Sequence, residues 1–137
     1  MNRGFYFKLY ILTLAAFLLL DFIWLMFVAK TFYTAQIGSL LAQDTNILAA
    51  GLFYAFFIVG LLYFVVLPAL KSKKSRVKKV ALAGGLFGFI TYSTYDLTNY
   101  ATLAHWPLLL VIVDMAWGFI LSALVTALSF TIGKKLK

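Results

Sequence analysis

Leu9–Val28, LYILTLAAFLLLDFIWLMFV, decides the fold class: it is a twenty-residue run with a single charge, Asp21. A helix of about that length crosses the ~30 Å hydrocarbon core of a bilayer. In hydrocarbon no water is present to satisfy the backbone, so an isolated apolar segment satisfies itself as a helix. The whole chain agrees with its first run. Of 137 residues, 64% are hydrophobic and 12% charged, against roughly half and a quarter in soluble domains. The chain therefore reads as one all-α integral membrane domain over residues 1–137. A cleaved signal peptide is the competing reading of a basic start before an apolar run. The run is long for that, and Asp21 interrupts it.

Further apolar runs follow the first. Lys30–Asn46 reads as a mildly amphipathic connector, with Phe32 and Tyr33 suited to a membrane interface and Asp44, Thr45 and Asn46 suited to capping the next helix. A second span is expected over about 47–70, ending near Pro68. The loop KSKKSRVKK, 71–79, holds six of the twelve lysines and arginines. A third span over about 80–104 begins with Gly84, Gly85 and Gly88, and a fourth covers about 106–132. The expected architecture is a four-transmembrane-helix antiparallel bundle packed in sequence order. Eleven of the twelve basic residues lie in the N-terminus, the 71–79 loop and the tail, leaving only Lys30 for the other connectors. The positive-inside bias then puts both termini in the cytoplasm.

One stretch contradicts its surroundings. Thr91–Pro107, TYSTYDLTNYATLAHWP, carries Asp96, Asn99, Tyr92, Tyr95, Tyr100 and several hydroxyls where a span should be apolar. All four acids are aspartates, and three of them, Asp21, Asp96 and Asp114, fall inside spans. Such residues are costly in a membrane and by default mark function. Asp21 lies nine residues before Lys30, while Asp96 and Asp114 lie nine either side of His105. A helical rise of 1.5 Å per residue thus sets all three ~13 Å below the outer surface, where they are expected to meet in one cluster with Asn99 and Tyr92 or Tyr100. With no basic residue at that depth, at least one is expected to keep its proton at neutral pH. Asp21-Phe-Ile-Trp24 and Asp114-Met-Ala-Trp117 repeat one spacing, which sets each indole a turn from a carboxylate. The alternatives are that Trp24 and Trp117 merely fill the core, and that the acids form a purely structural polar cluster fixing helix register.

The runs YDLTNYATLAHWP, DFIWL and VDMAWG resemble a family of small bacterial predicted membrane proteins catalogued as a domain of unknown function. The resemblance extends over the whole chain and implies a four-helix fold in a bacterial inner membrane, with no established activity to carry over.

The absence of cysteine removes disulfides and thiolate sites, and a lone histidine, His105, argues against a classical zinc site. The sequence names no cofactor. Its best functional reading is a binding or transport protein for a small amphipathic or cationic molecule, with proton linkage through Asp21, Asp96 and Asp114. The alternative is a membrane enzyme acting on a lipid or isoprenoid, with the acids as acid/base groups or as ligands of Mg²⁺ or Mn²⁺. Membrane lipids are the expected partners, and a bundle this small is expected to form homo-oligomers. The basic residues flank spans instead of forming a folded basic face, which argues against nucleic acid.

Overall fold

A computed structural model describes all 137 residues as helices joined by short connections, with no strand. Four long helical segments follow one another: α1 Arg3–Leu40, α2 Ile47–Lys71, α3 Val77–Thr102 and α4 Leu108–Leu136. Three of them, α1, α2 and α4, are long and apolar enough to cross a membrane. The 26 residues of α3 match them in length, but its basic start and polar end dilute its hydropathy.

The ends of the helices follow from local chemistry. Asn2 and Asn46 cap α1 and α2, their side-chain oxygens accepting from the backbone N–H of Phe5 at 2.9 Å and Ala49 at 3.0 Å. Those bonds satisfy donors that the first helical turn leaves free. Pro107 precedes α4 in an extended conformation. Beside it His105 adopts φ 61°, the left-handed region that histidine enters more readily than most residues. One left-handed residue lets the chain reverse within the few residues between α3 and α4.

The first helix departs from the expected connector. It does not stop near Val28 but runs on to Leu40, through a wide π-helical turn at Leu25–Ala29. A second wide turn, Leu62–Val66, lies just before Pro68 in α2. There the cause is visible: a proline has no N–H to give its preceding turn, and the helix adjusts around the loss.

The helix α4 is the central element and packs on each of the other three, most extensively on α3. The α3–α4 contact is built from small residues. A Cβ on Gly84 would lie 2.0 Å from the Thr126 hydroxyl, and one on Gly88 would lie 2.1 Å from the Gly118 carbonyl oxygen. Small residues of this kind are what allow helices to approach closely without a hydrophobic driving force. At the basic end, Phe5, Leu9, Val66, Leu70 and Phe130 close the core, and the Lys137 ammonium donates to the Leu70 carbonyl.

Polarity is arranged inside out. Thr13, Asp21, Asp96, Asp114, Ser122, Thr126 and Ser129 are buried, while Phe22, Met26, Phe27, Phe56, Phe64 and Ile112 are among many large apolar side chains on the outside. This distribution suits a lipid solvent.

Candidate functional site

Two of the three buried acids are tied together by a chain of aromatic donors. Asp21 accepts from the Tyr54 hydroxyl at 2.8 Å through one oxygen and from the Trp117 indole at 3.1 Å through the other. The Trp117 ring stacks on Trp24, with centroids 4.4 Å apart and planes 9° from parallel. The Trp24 indole donates to the Tyr33 hydroxyl at 3.5 Å, and Tyr33 donates to Asp114. The relay thus runs Tyr54, Asp21, Trp117, Trp24, Tyr33, Asp114. The repeated Asp-x-x-Trp spacing is used crosswise. Each indole serves the acid of the opposite helix, directly for Asp21 and through Tyr33 for Asp114.

This crossing changes the expected depths. The two tryptophans stack at one level, and each lies three residues from its own acid on helices running in opposite directions. At 1.5 Å per residue Asp21 and Asp114 therefore sit on opposite sides of the stack, about 9 Å apart along the bundle. The single layer expected from residue counting is a two-tiered relay, because the helices are offset so that indole faces indole.

Asp96 stands apart from the relay. It is completely buried, and neither of its oxygens has a hydrogen-bond partner. The expected partners point elsewhere: Tyr100 is 47% exposed, Tyr92 packs its ring against Gly118 and Phe57, and Asn99 is only partly buried. Most hydroxyls of this stretch are consumed locally. Thr91, Ser93, Thr94, Thr98 and Thr102 each donate to a carbonyl four residues back along α3. A polar side chain bonded to its own helix presents little polarity to lipid. No three His, Cys, Asp or Glu side chains converge closely enough to hold a metal ion.

Tyr33 and Tyr54 complete the relay, and they were the hardest members to read from the sequence. Tyr54 carried no acid on its own helix to mark it. Tyr33 reads as an interface aromatic of the Lys30–Asn46 connector, and on an unbroken ordinary helix nine residues at about 100° each would put it half a turn away from Trp24. The wide turn at Leu25–Ala29 takes up one extra residue and so returns Tyr33 to within about 80° of Trp24.

Two openings reach the relay. A cleft of about 440 Å³ opens sideways between α1 and α2, with Leu18, Leu19, Phe22 and Leu25 as its apolar walls and Asp21 and Tyr54 at its base. A smaller cavity of about 270 Å³ lies at the lysine-poor end, bordered by Tyr33, Tyr95, Trp106 and Asp114.

An all-helical bundle with an apolar exterior and buried carboxylates set among aromatic donors defines a class, the polytopic helical membrane proteins. The chain belongs to the family described as "Predicted membrane protein (DUF2177)", whose model matches residues 6–131. No curated protein and no solved structure matches it.

Proposed function

We propose that the protein binds a small amphipathic cation inside the bilayer, with its charge at Asp21, the acid of the relay that lines the sideways cleft, and its apolar part in that cleft. The observation that carries this reading is the chemistry of the acids' partners. Asp21 and Asp114 are buried, and they are held only by hydroxyl and indole donors, with no lysine or arginine beside them. A buried carboxylate without a counter-charge is costly, and an organic cation would remove that cost. The walls of the cleft are lipid-facing leucines and a phenylalanine, so an amphiphile could reach Asp21 from the membrane. Carriage of the cation across the bilayer in exchange for protons is the transport form of the same reading. The lipid- or isoprenoid-enzyme reading, with the acids as acid/base groups or metal ligands, gains less support, because no lysine or arginine that could hold a phosphate lines either opening.

The same proposal holds that all four helices cross a bacterial inner membrane with both termini in the cytoplasm. The hydroxyls of α3 bonded back to their own helix support its residence in lipid, and the lysine asymmetry supports the orientation. A periplasm-active reporter fused after Lys137 is expected to be inactive, and one fused in the 41–46 connection active. The reverse pattern overturns the orientation.

Binding is tested with labelled decylammonium on the purified full-length protein, with decanol as the neutral control. Wild type is expected to take up the amine in preference to the alcohol. Asp21→Asn should weaken uptake by about tenfold or more, as expected when one partner of a desolvated charge pair is removed. Equal uptake of amine and alcohol, or unchanged affinity in Asp21→Asn, overturns the reading. In that case the relay only fixes helix register.

A further inference from the structure

The cavity at the lysine-poor end has a chemistry of its own. With about 270 Å³ it is smaller than the pockets of roughly 300–1,000 Å³ that hold drug-sized ligands. Tyr95 and Trp106 meet edge to face, with centroids 5.8 Å apart and planes at 81°. They form two walls at right angles, Tyr33 and the Asp114 carboxylate border the same space, and Ile37, Leu41 and Leu110 complete its lining. Aromatic faces around a small space with one carboxylate are the means by which proteins hold ammonium groups, through the negative face of each ring.

Two polar groups there have unused capacity. Asp114 is 8% exposed. It receives the Tyr33 hydroxyl on one oxygen, while an ionised carboxylate can accept about four hydrogen bonds. Trp106 is 7% exposed, and its buried indole N–H has no acceptor. No basic side chain borders the cavity. A fitting occupant therefore supplies a cationic donor to Asp114 and, close by, an acceptor to Trp106.

We propose that this cavity is a headgroup site for a primary ammonium joined through a short linker to a hydrogen-bond acceptor. That amino-alcohol chemistry is shared by aminophospholipid headgroups and free ethanolamine. The inference rests on the reading of the acids as cation-binding, and it deepens that reading by giving Asp114 its own ligand, separate from the amphiphile in the Asp21 cleft. The ammonium sits against the Tyr95–Trp106 pair and donates to Asp114, and the linker oxygen accepts from the Trp106 indole. An alcohol of the same shape lacks the charge that Asp114 and the aromatic faces select.

The test uses full-length protein in nanodiscs of mixed phosphatidylethanolamine and phosphatidylglycerol, with retained lipid read by native mass spectrometry. In parallel, ethanolamine is titrated into protein in phosphatidylglycerol-only nanodiscs and followed by tryptophan fluorescence, with ethylene glycol as the neutral control. Asp114→Asn should weaken the response more than about tenfold. Tyr95→Leu, at a half-exposed position where folding is little affected, should weaken it roughly three- to fivefold. Trp106→Phe should shrink the preference for ethanolamine over propylamine, which lacks the acceptor. Preferential retention of phosphatidylethanolamine supports the site with a lipid as its source, and a response to soluble ethanolamine alone supports it with a free amine. Equal responses to ethanolamine and ethylene glycol, or unchanged binding in both Asp114→Asn and Tyr95→Leu, overturn it. Decylammonium uptake that falls in Asp21→Asn while the cavity variants change nothing leaves the cleft reading standing and removes only this site. The converse pattern removes the cleft reading and keeps the cavity.

Discussion

Gly88→Ala is expected to destabilise the folded protein by about 3 kcal/mol, at the upper end of ordinary overpacking. The added methyl would lie 2.1 Å from both the Gly118 carbonyl oxygen and the Ser122 hydroxyl. A flexible side chain could turn aside from it, but the backbone carbonyl of α4 cannot move without the whole helix. Separating α3 from α4 would also weaken the contacts that bury Asp96 and the Tyr92 ring. Gly51→Ala is the matched control, since a Cβ there meets nothing within 4 Å. It should be neutral or gain up to the ~1 kcal/mol by which alanine exceeds glycine in a helix interior. Unfolding in a titration of sodium dodecyl sulfate against a mild detergent measures both. Similar midpoints for Gly88→Ala and wild type would mean that α3 and α4 are not in close contact in the membrane.

Asp21→Leu and Asp96→Leu should move stability in opposite directions. Removing the Asp21 carboxylate strands the Tyr54 hydroxyl and the Trp117 indole, both part-buried. A stranded donor costs about 1–3 kcal/mol in a protein interior, and membrane hydrogen bonds average nearer 0.6 kcal/mol. A loss of about 2 kcal/mol is expected. Asp96 strands nothing, because neither of its oxygens has a donor. Replacing an unpartnered buried acid by an apolar side chain of similar size removes a desolvation cost, so Asp96→Leu should be neutral or stabilising by about 1–2 kcal/mol. The same detergent titration separates the two. A larger loss for Asp96→Leu than for Asp21→Leu would show that Asp96 has partners the present hydrogen-bond pattern lacks.

Residue spacing gathers Asn99, Tyr92 and Tyr100 around Asp96, whereas the donors reach Asp21 and Asp114, and the reason is physical. The long apolar runs, the glycine face of α3 and the inward orientation of all three acids are properties of single helices, which periodicity along the chain reveals. The relay could not be found in that way. Asn99 and the tyrosines around Asp96 share its helix, and their proximity in sequence suggested a local cluster. Partners on the same helix mostly bond to their own backbone, as Thr94 and Thr98 do. The donors that reach an acid come from other helices: Tyr54 from α2, Trp117 from α4 and, for Asp114, Tyr33 from α1. Which side chains meet across an interface depends on the axial offset of two helices, and no single helix carries that offset in its sequence. The Asp-x-x-Trp repeat was the one legible sign of it, although its crosswise use was not. The length of α1 is hidden in the sequence for a related reason. Lys30, Thr34 and Gln36 lower the hydropathy of its last turns but do not end a helix.

The wide turn at Leu25–Ala29 makes the relay depend on counting. Loops that join helices absorb gained or lost residues with little effect, since each end is anchored separately. Between Trp24 and Tyr33 there is no such slack for a gained residue. One residue more than the turn takes up would swing Tyr33 about 100° further round, half a turn from Trp24. Asp114 would then lose its donor although no residue of the relay had been replaced. Most side chains of the turn face outward and can vary, the buried Ala29 excepted, but their number cannot grow.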